Sequence, residues 1–171
     1  MAKAYGPDRM LEKYQRPHSD VVKMVETMRS SGNYTTVEKT SAGGIFAIEK
    51  GKARHKAEEI EAGRHMADKG YHVTLKDETG FVKTPDGKIF SFTFEQRTPQ
   101  SNSARSVLKA LEHARAKPAD VAVIYDKYAV YNRKIVEQGI SLYEEYIKNY
   151  RFKRIIVISK AGNVYEHKHN G

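Results

Sequence analysis

Two short apolar runs, DVAVIYD at 120–126 and RIIVIS at 154–159, constrain this chain more than any other feature. Neither run alternates polar with apolar residues, so each reads as a strand covered on both faces. The segment between them, NRKIVEQGISLYEEYIKN, reads as a helix. A buried strand, a helix and a second buried strand are the working unit of an α/β fold. With 171 residues the chain has the length of one domain with a real core.

The remaining pattern extends that unit in both directions. Residues 52–69 carry Ala53, Ala57, Ile60, Gly63 or Arg64, and Ala67 at steps of three and four, a helix that Gly70 ends. YHVTLKDE alternates as a half-buried strand, a second strand is expected from about Phe81, and Pro85-Asp86-Gly87-Lys88 is expected to turn it back along 89–96. After Thr98-Pro99, one of Ser101, Asn102 and Ser103 can cap a helix over 104–116 that Pro118 stops. NVYEHK suggests a last, short edge strand, so the order from Lys52 is α-β-β-β-α-β-α-β-β. That layout is the core of restriction-endonuclease-like, PD-(D/E)xK folds, a mixed sheet between helices. Residues 1–44 read as a leader with one short helix at 20–29 and loop on both sides, SSGNYTT included; a strand at 45–48 opens the nuclease-like domain, 45–171.

Composition narrows the setting. Thirty Lys and Arg against 21 Asp and Glu give a net charge of +9, which suits a polyanionic partner. A plainer reading is that the excess keeps the protein soluble. No apolar run approaches the roughly 20 residues that span a bilayer, so a membrane partner is not expected. The absence of cysteine excludes disulfides, thiolate nucleophiles and zinc knuckles, and the first ten residues lack the apolar stretch of a secretory signal. Action in the cytoplasm is the expectation, delivery by a larger carrier included.

The chemistry concentrates in 84–97, TPDGKIFSFTFEQR. Asp86 and Glu95, nine positions apart, can converge on one Mg²⁺ or Mn²⁺, and Arg97 shares a strand face with Glu95. Singly, each is more ordinary as a turn aspartate or a solvated strand edge. Glu59 is the candidate third metal ligand, on the inward stripe with Ala62, Gly63 and Met66; the run Glu58, Glu59, Glu61 can equally be a solvated face. Ser103 and Arg105 at the next helix start can hold a phosphate, with Lys109 one turn on, although capping alone accounts for the serines. Tyr125, Tyr128 and Tyr131 follow the buried strand, and Tyr128 is the best placed to stack a base. Among the histidines, His55 and His65 lie too far apart for a metal pair, and His167 and His169 read as a tail.

The blocks EEIEAGRHMADKGYHVTL, TPDGKIFSFTFEQRTPQSNSARSVLKALEHARAKPADVAVIYD and FKRIIVISKAGNVYEHK resemble the C-terminal nuclease domains of contact-dependent growth-inhibition (CdiA-type) toxins and of phage head-morphogenesis proteins. The resemblance covers roughly 45–168. It implies an endonuclease toxin, tRNA as the substrate and a cognate immunity protein as partner. Asp86 and Glu95 take the motif's two acidic positions, and Arg97 stands where lysine is usual. Arginine keeps its charge and clamps phosphate but cannot give up a proton, so the site is either retained with Arg97 as a clamp, or weakened or inactive. Two further readings stand beside this one. A barnase-like, metal-independent RNase would use His72, Thr98 or Arg97, and a non-catalytic nucleic-acid-binding or phage-structural module would carry a decayed site.

Overall fold

The two apolar runs are adjacent parallel strands near one side of a single sheet. In the computed structural model, which describes residues 9–77, 85–101, 103–117, 119–128, 132–147, 150 and 152–168, β6 (Val121–Asp126) pairs with β7 (Arg154–Ser159) from Val121↔Arg154 to Asp126↔Ser159. Every residue of β6 is buried, and in β7 only Arg154 is not. Both faces are covered, which is what the unbroken apolar runs require. Val121, Val123 and Tyr125 join the core beneath α3 (Ala57–Asp68), while Ala122 and Ile124 join the core beneath α4 (Ala104–Arg115) and α5 (Arg133–Tyr146).

Eight strands follow one another in space as they do in sequence: β1 (Tyr34–Lys39), β2 (Ile45–Glu49), β3 (His72–Leu75), β4 (Gly87–Ile89), β5 (Phe92–Arg97), β6, β7 and β8 (Val164–Lys168). The pairs β2/β3, β5/β6 and β6/β7 are parallel and the other four antiparallel. The protein is therefore α/β, with one mixed sheet flanked by helices. Among the described residues no helix is long and apolar enough to cross a membrane.

Three expectations are corrected. SSGNYTT is not all loop: Tyr34–Lys39 is β1, antiparallel to β2, and α2 (His18–Ser31) packs Val21 and Val25 against Ile45. An edge strand that is half-buried along most of its length has no clean period, so its β-branched residues were the only signal. The turn is not at 85–88 either. Asp86 precedes β4, Ile89 pairs with Phe92, and the reversal is Phe90-Ser91, with Phe90 at φ 54. Gly87 is in the strand because a Cβ there would lie 2.0 Å from the Thr74 carbonyl oxygen; it is a close-approach glycine. The strand expected from Phe81 lies outside the described residues. Third, His167 is no tail: it is buried on β8, where burial pushes its imidazole down to about 4 against the pull of Glu137. His169 is outside the described residues.

The amino-terminal segment is fastened to this sheet by one carboxylate. Glu166, fully buried on β8, accepts the Met10 and Leu11 N–H groups at 2.8 and 3.3 Å and the Tyr71 hydroxyl, with Arg9 and Arg154 at 3.9 and 3.8 Å. These contacts set α1 (Met10–Tyr14) in place.

Candidate active-site cleft

At the carboxyl end of β5 opens a cleft of about 650 Å³. Its floor is made by an extension of the β4/β5 ladder. Gly87 pairs with Phe94, so the next pair outward is Asp86 opposite Glu95. The Asp86 N–H donates to Glu95 Oε1 at 3.2 Å and the Gln96 N–H to Asp86 Oδ2 at 2.7 Å, so each carboxylate is held by backbone from the other strand. Both are buried, at 4% and 1% exposure.

Two buried carboxylates side by side repel each other unless cations offset them. Arg97 Nη2 lies 2.9 Å and Lys117 Nζ 3.5 Å from Glu95 Oε2. Lys109, His113 and Lys117, spaced by four, line one wall of the cleft, and Arg54 and Lys56 add charge to its lining. Burial holds the His55 imidazole below its ordinary range, while Asp86 and Asp77 pull it up.

The structure thus brings Asp86, Glu95, Arg97, Glu59, Lys109 and Tyr128 to one cleft. Glu59 is buried there, but its Oε2 accepts the Lys56 N–H at 3.0 Å, closing the first turn of its own helix. Among the described residues no three His, Asp or Glu side chains gather as a ligand group. Ser103 is the cap of α4, accepting the Ser106 N–H at 3.1 Å, and Arg105 is exposed without lining the cleft. Tyr128 is 58% exposed at the rim, its hydroxyl donating to Glu58 at 3.3 Å. Tyr125 is packed inside and bonded to Glu61 at 3.0 Å, and Tyr131 lies outside the described residues. Thr98 lines the cleft and accepts the Gln96 Nε2–H at 2.8 Å, whereas His72 lines a different cavity. His72, Thr98 and Arg97 do not meet.

Lys117, His113, Arg54 and Lys56 were missed by sequence reasoning. The four-residue spacing from Lys109 was the available signal for the first two; Lys117 was hidden because it lies beyond the end of α4. As a metal site, two adjacent oxygen-donor carboxylates open to a cleft suit Mg²⁺, which commonly takes one or two carboxylates and completes its shell with water and phosphate. The donor set fits such an ion, and Asp86 and Glu95 would be the residues to hold it.

No family model matches the chain, and no curated protein does. Among solved structures, the CdiA-CT/CdiI toxin and immunity complex from Burkholderia pseudomallei is similar, with a TM-score of 0.54 at 20% identity, over 71% of this chain and 98% of that one. At that identity the likeness is one of fold: this chain has a CdiA-CT toxin-like fold.

Proposed function

We propose that this chain is a nuclease toxin domain of PD-(D/E)xK type that hydrolyses phosphodiester bonds in RNA, with tRNA as its substrate. The carrying observation is the cross-strand meeting of Asp86 and Glu95, both buried, on the floor of a cleft ringed by Arg54, Lys56, Lys109 and Lys117. A purely structural fold gains nothing from two buried carboxylates that need added cations to be tolerated. The net charge of +9 and the toxin-like fold support the same reading.

A Mg²⁺ or Mn²⁺ held by Asp86 and Glu95 would supply Lewis-acid polarisation of the phosphoryl oxygen. The chain's own residues do the rest. Arg97 keeps its charge throughout and clamps a phosphate oxygen with its fork. Lys117 brings the compact ammonium that position 97 lacks, close enough to Glu95 to offset the charge that builds as water bonds to phosphorus and the ribose oxygen leaves. Lys109 extends the phosphate track and Tyr128 offers a ring at the rim. Glu59 orients its helix and stays out of the ligand set. A cognate immunity protein would be acidic where it covers this cleft, and the domain would act in the cytosol of the cell it enters.

The test is incubation of total tRNA and plasmid DNA with the purified chain in Mg²⁺ and in EDTA, beside Glu95→Gln. The expected result is tRNA cleavage in Mg²⁺ that is lost in EDTA and falls at least a hundredfold in Glu95→Gln. Intact tRNA and plasmid in both conditions would remove the enzyme reading, and cleavage that survives both EDTA and Glu95→Gln would remove the metal site.

A further inference from the structure

The face of the sheet that carries Asp86 and Glu95 continues as a polar strip to a second cavity. Val73, Ile89 and Phe94 belong to the core beneath α3, so their neighbours in sequence face the other way. On that other face Thr74, Lys88 and Thr93 form one cross-strand row, His72 precedes Thr74, and Glu95 and Arg97 follow Thr93. To one side α2 packs on β1 and Ile45; to the other, α4 packs on β5 and β6. Lys88, in the middle of the row, is exposed.

At the end of this strip away from the cleft is a cavity of about 690 Å³ lined by Lys13, Tyr14, Arg16, Tyr34, His72 and Phe90 among others. Lys13 and Arg16 are exposed, and Tyr14 is 37% exposed with its ring 5.6 Å from Phe90. Burial holds the His72 imidazole below its ordinary range, with its hydrogen bond to the Gly43 carbonyl pulling it up and Arg16 pushing it down. Tyr34 and Phe90 are half-buried, and cations beside such partly exposed rings are the composition of a single-strand nucleic-acid pocket, where rings stack bases and cations take phosphates.

Strand geometry gives the reach. Four residues along the strand and two strand spacings across separate His72 from Glu95, about 16 Å on the diagonal. A stacked strand advances about 3.4 Å per nucleotide, so roughly five nucleotides span the gap, and fewer if stretched. We propose that this second cavity is a subsite for a single-stranded RNA flank, which crosses Lys88 on its way to the cleft and stacks a base among Tyr14, Tyr34 and Phe90. The proposal rests on the nuclease reading for its choice of RNA, and names the part of the substrate that reading leaves unplaced.

Binding of 2′-O-methyl RNA in EDTA, which blocks both metal-dependent and 2′-hydroxyl chemistry, tests it by fluorescence anisotropy with oligomers of about three, six and nine nucleotides. The wild-type chain is expected to bind the longest about tenfold or more tighter than the shortest. Lys13→Glu/Arg16→Glu, both exposed positions, should lose that gain while binding the shortest oligomer normally, with a salt slope shallower by about 1.4 for two lost phosphate contacts. Lys88→Glu should lose it too, and unchanged melting temperatures would show both variants folded. Variants that bind the longest oligomer like wild type would overturn the subsite. If RNA is cut in Mg²⁺ while these variants bind and cut it unchanged, the subsite alone falls. If nothing is cut in Mg²⁺ but the length-dependent gain exists and vanishes in the variants, the nuclease reading alone falls.

Discussion

Glu95 is held by two cations that differ in what they can do. The Arg97 fork sits closer, at 2.9 Å, and stays fully charged; the Lys117 ammonium sits at 3.5 Å on a flexible stem that follows α4. Loss of Lys117 leaves buried Glu95 paired with Arg97 alone, so folding stability should fall by about 1–3 kcal/mol, short of unfolding the domain. Its loss from a developing phosphorane is another matter, since one preorganised donor is typically worth about 10²–10³ in rate. On the proposed nuclease reading, Lys117→Met is therefore expected to lower kcat for tRNA by about two orders of magnitude, with KM little changed and a urea midpoint below wild type but still that of a folded chain. A merely structural Lys117 would leave kcat where it was. The second half of the comparison is Arg97→Lys, which places there the lysine that the proposed PD-(D/E)xK reading expects. If Lys117 already supplies the ammonium, this change should weaken substrate binding and leave kcat nearly untouched.

At the scale of elements, the packing of α5 on α4 depends on one glycine. A Cβ at Gly139 would lie 2.4 Å from Val107 Cβ, well inside contact distance, so the two helices are as close as a missing side chain permits. Alanine would gain up to about 1 kcal/mol of helix propensity, but overpacking a closed interface costs about 1–3 kcal/mol. Gly139→Ala should therefore be destabilised by about 1–2 kcal/mol in urea unfolding. In a Val107→Gly background, which removes the atom met at 2.4 Å, Gly139→Ala should cost less than in the wild-type chain, a coupling that independent sites would not show. This closeness was not legible in the sequence, where Gly139 is one glycine in a helical run. Legibility followed redundancy: β6, β7 and α5 repeat their pattern over many residues, and the structure has them where the pattern put them. What rested on a single residue's surroundings was misread, as with Gly87, whose neighbour Pro85 and Asp86 suggested a turn while Thr74 across the sheet held it in a strand. The candidate site divides the same way. Asp86, Glu95 and Arg97 share one strand pair and could be found by spacing, while Lys117 reaches them from a segment whose sequence says nothing of its direction.

Across the whole molecule, buried histidines make the fold sensitive to acid. His167 lies in the sheet next to fully buried Glu166, and burial pushes its imidazole down to about 4, whereas in the unfolded chain it returns to about 6.5. The folded state therefore refuses a proton that the unfolded state takes. The stabilisation from keeping His167 neutral is complete above about pH 6.5 and is lost as the pH falls toward 4, with a slope of at most about 1.4 kcal/mol per pH unit. Over the whole window that amounts to about 3 kcal/mol, a large share of the roughly 5–15 kcal/mol that holds a domain of this kind folded. Burial shifts His72 and His55 in the same direction, so wild-type stability should fall across this window by more than His167 accounts for alone. Replacing His167 with glutamine removes its share of the titration and leaves the other two. Urea midpoints measured from pH 7 to pH 4 should then decline less steeply for His167→Gln than for the wild-type chain, even though the variant starts lower at pH 7 from imperfect packing. Parallel curves for the two proteins would mean that His167 takes its proton in the folded sheet as easily as in water, and that the acid sensitivity of the fold lies elsewhere.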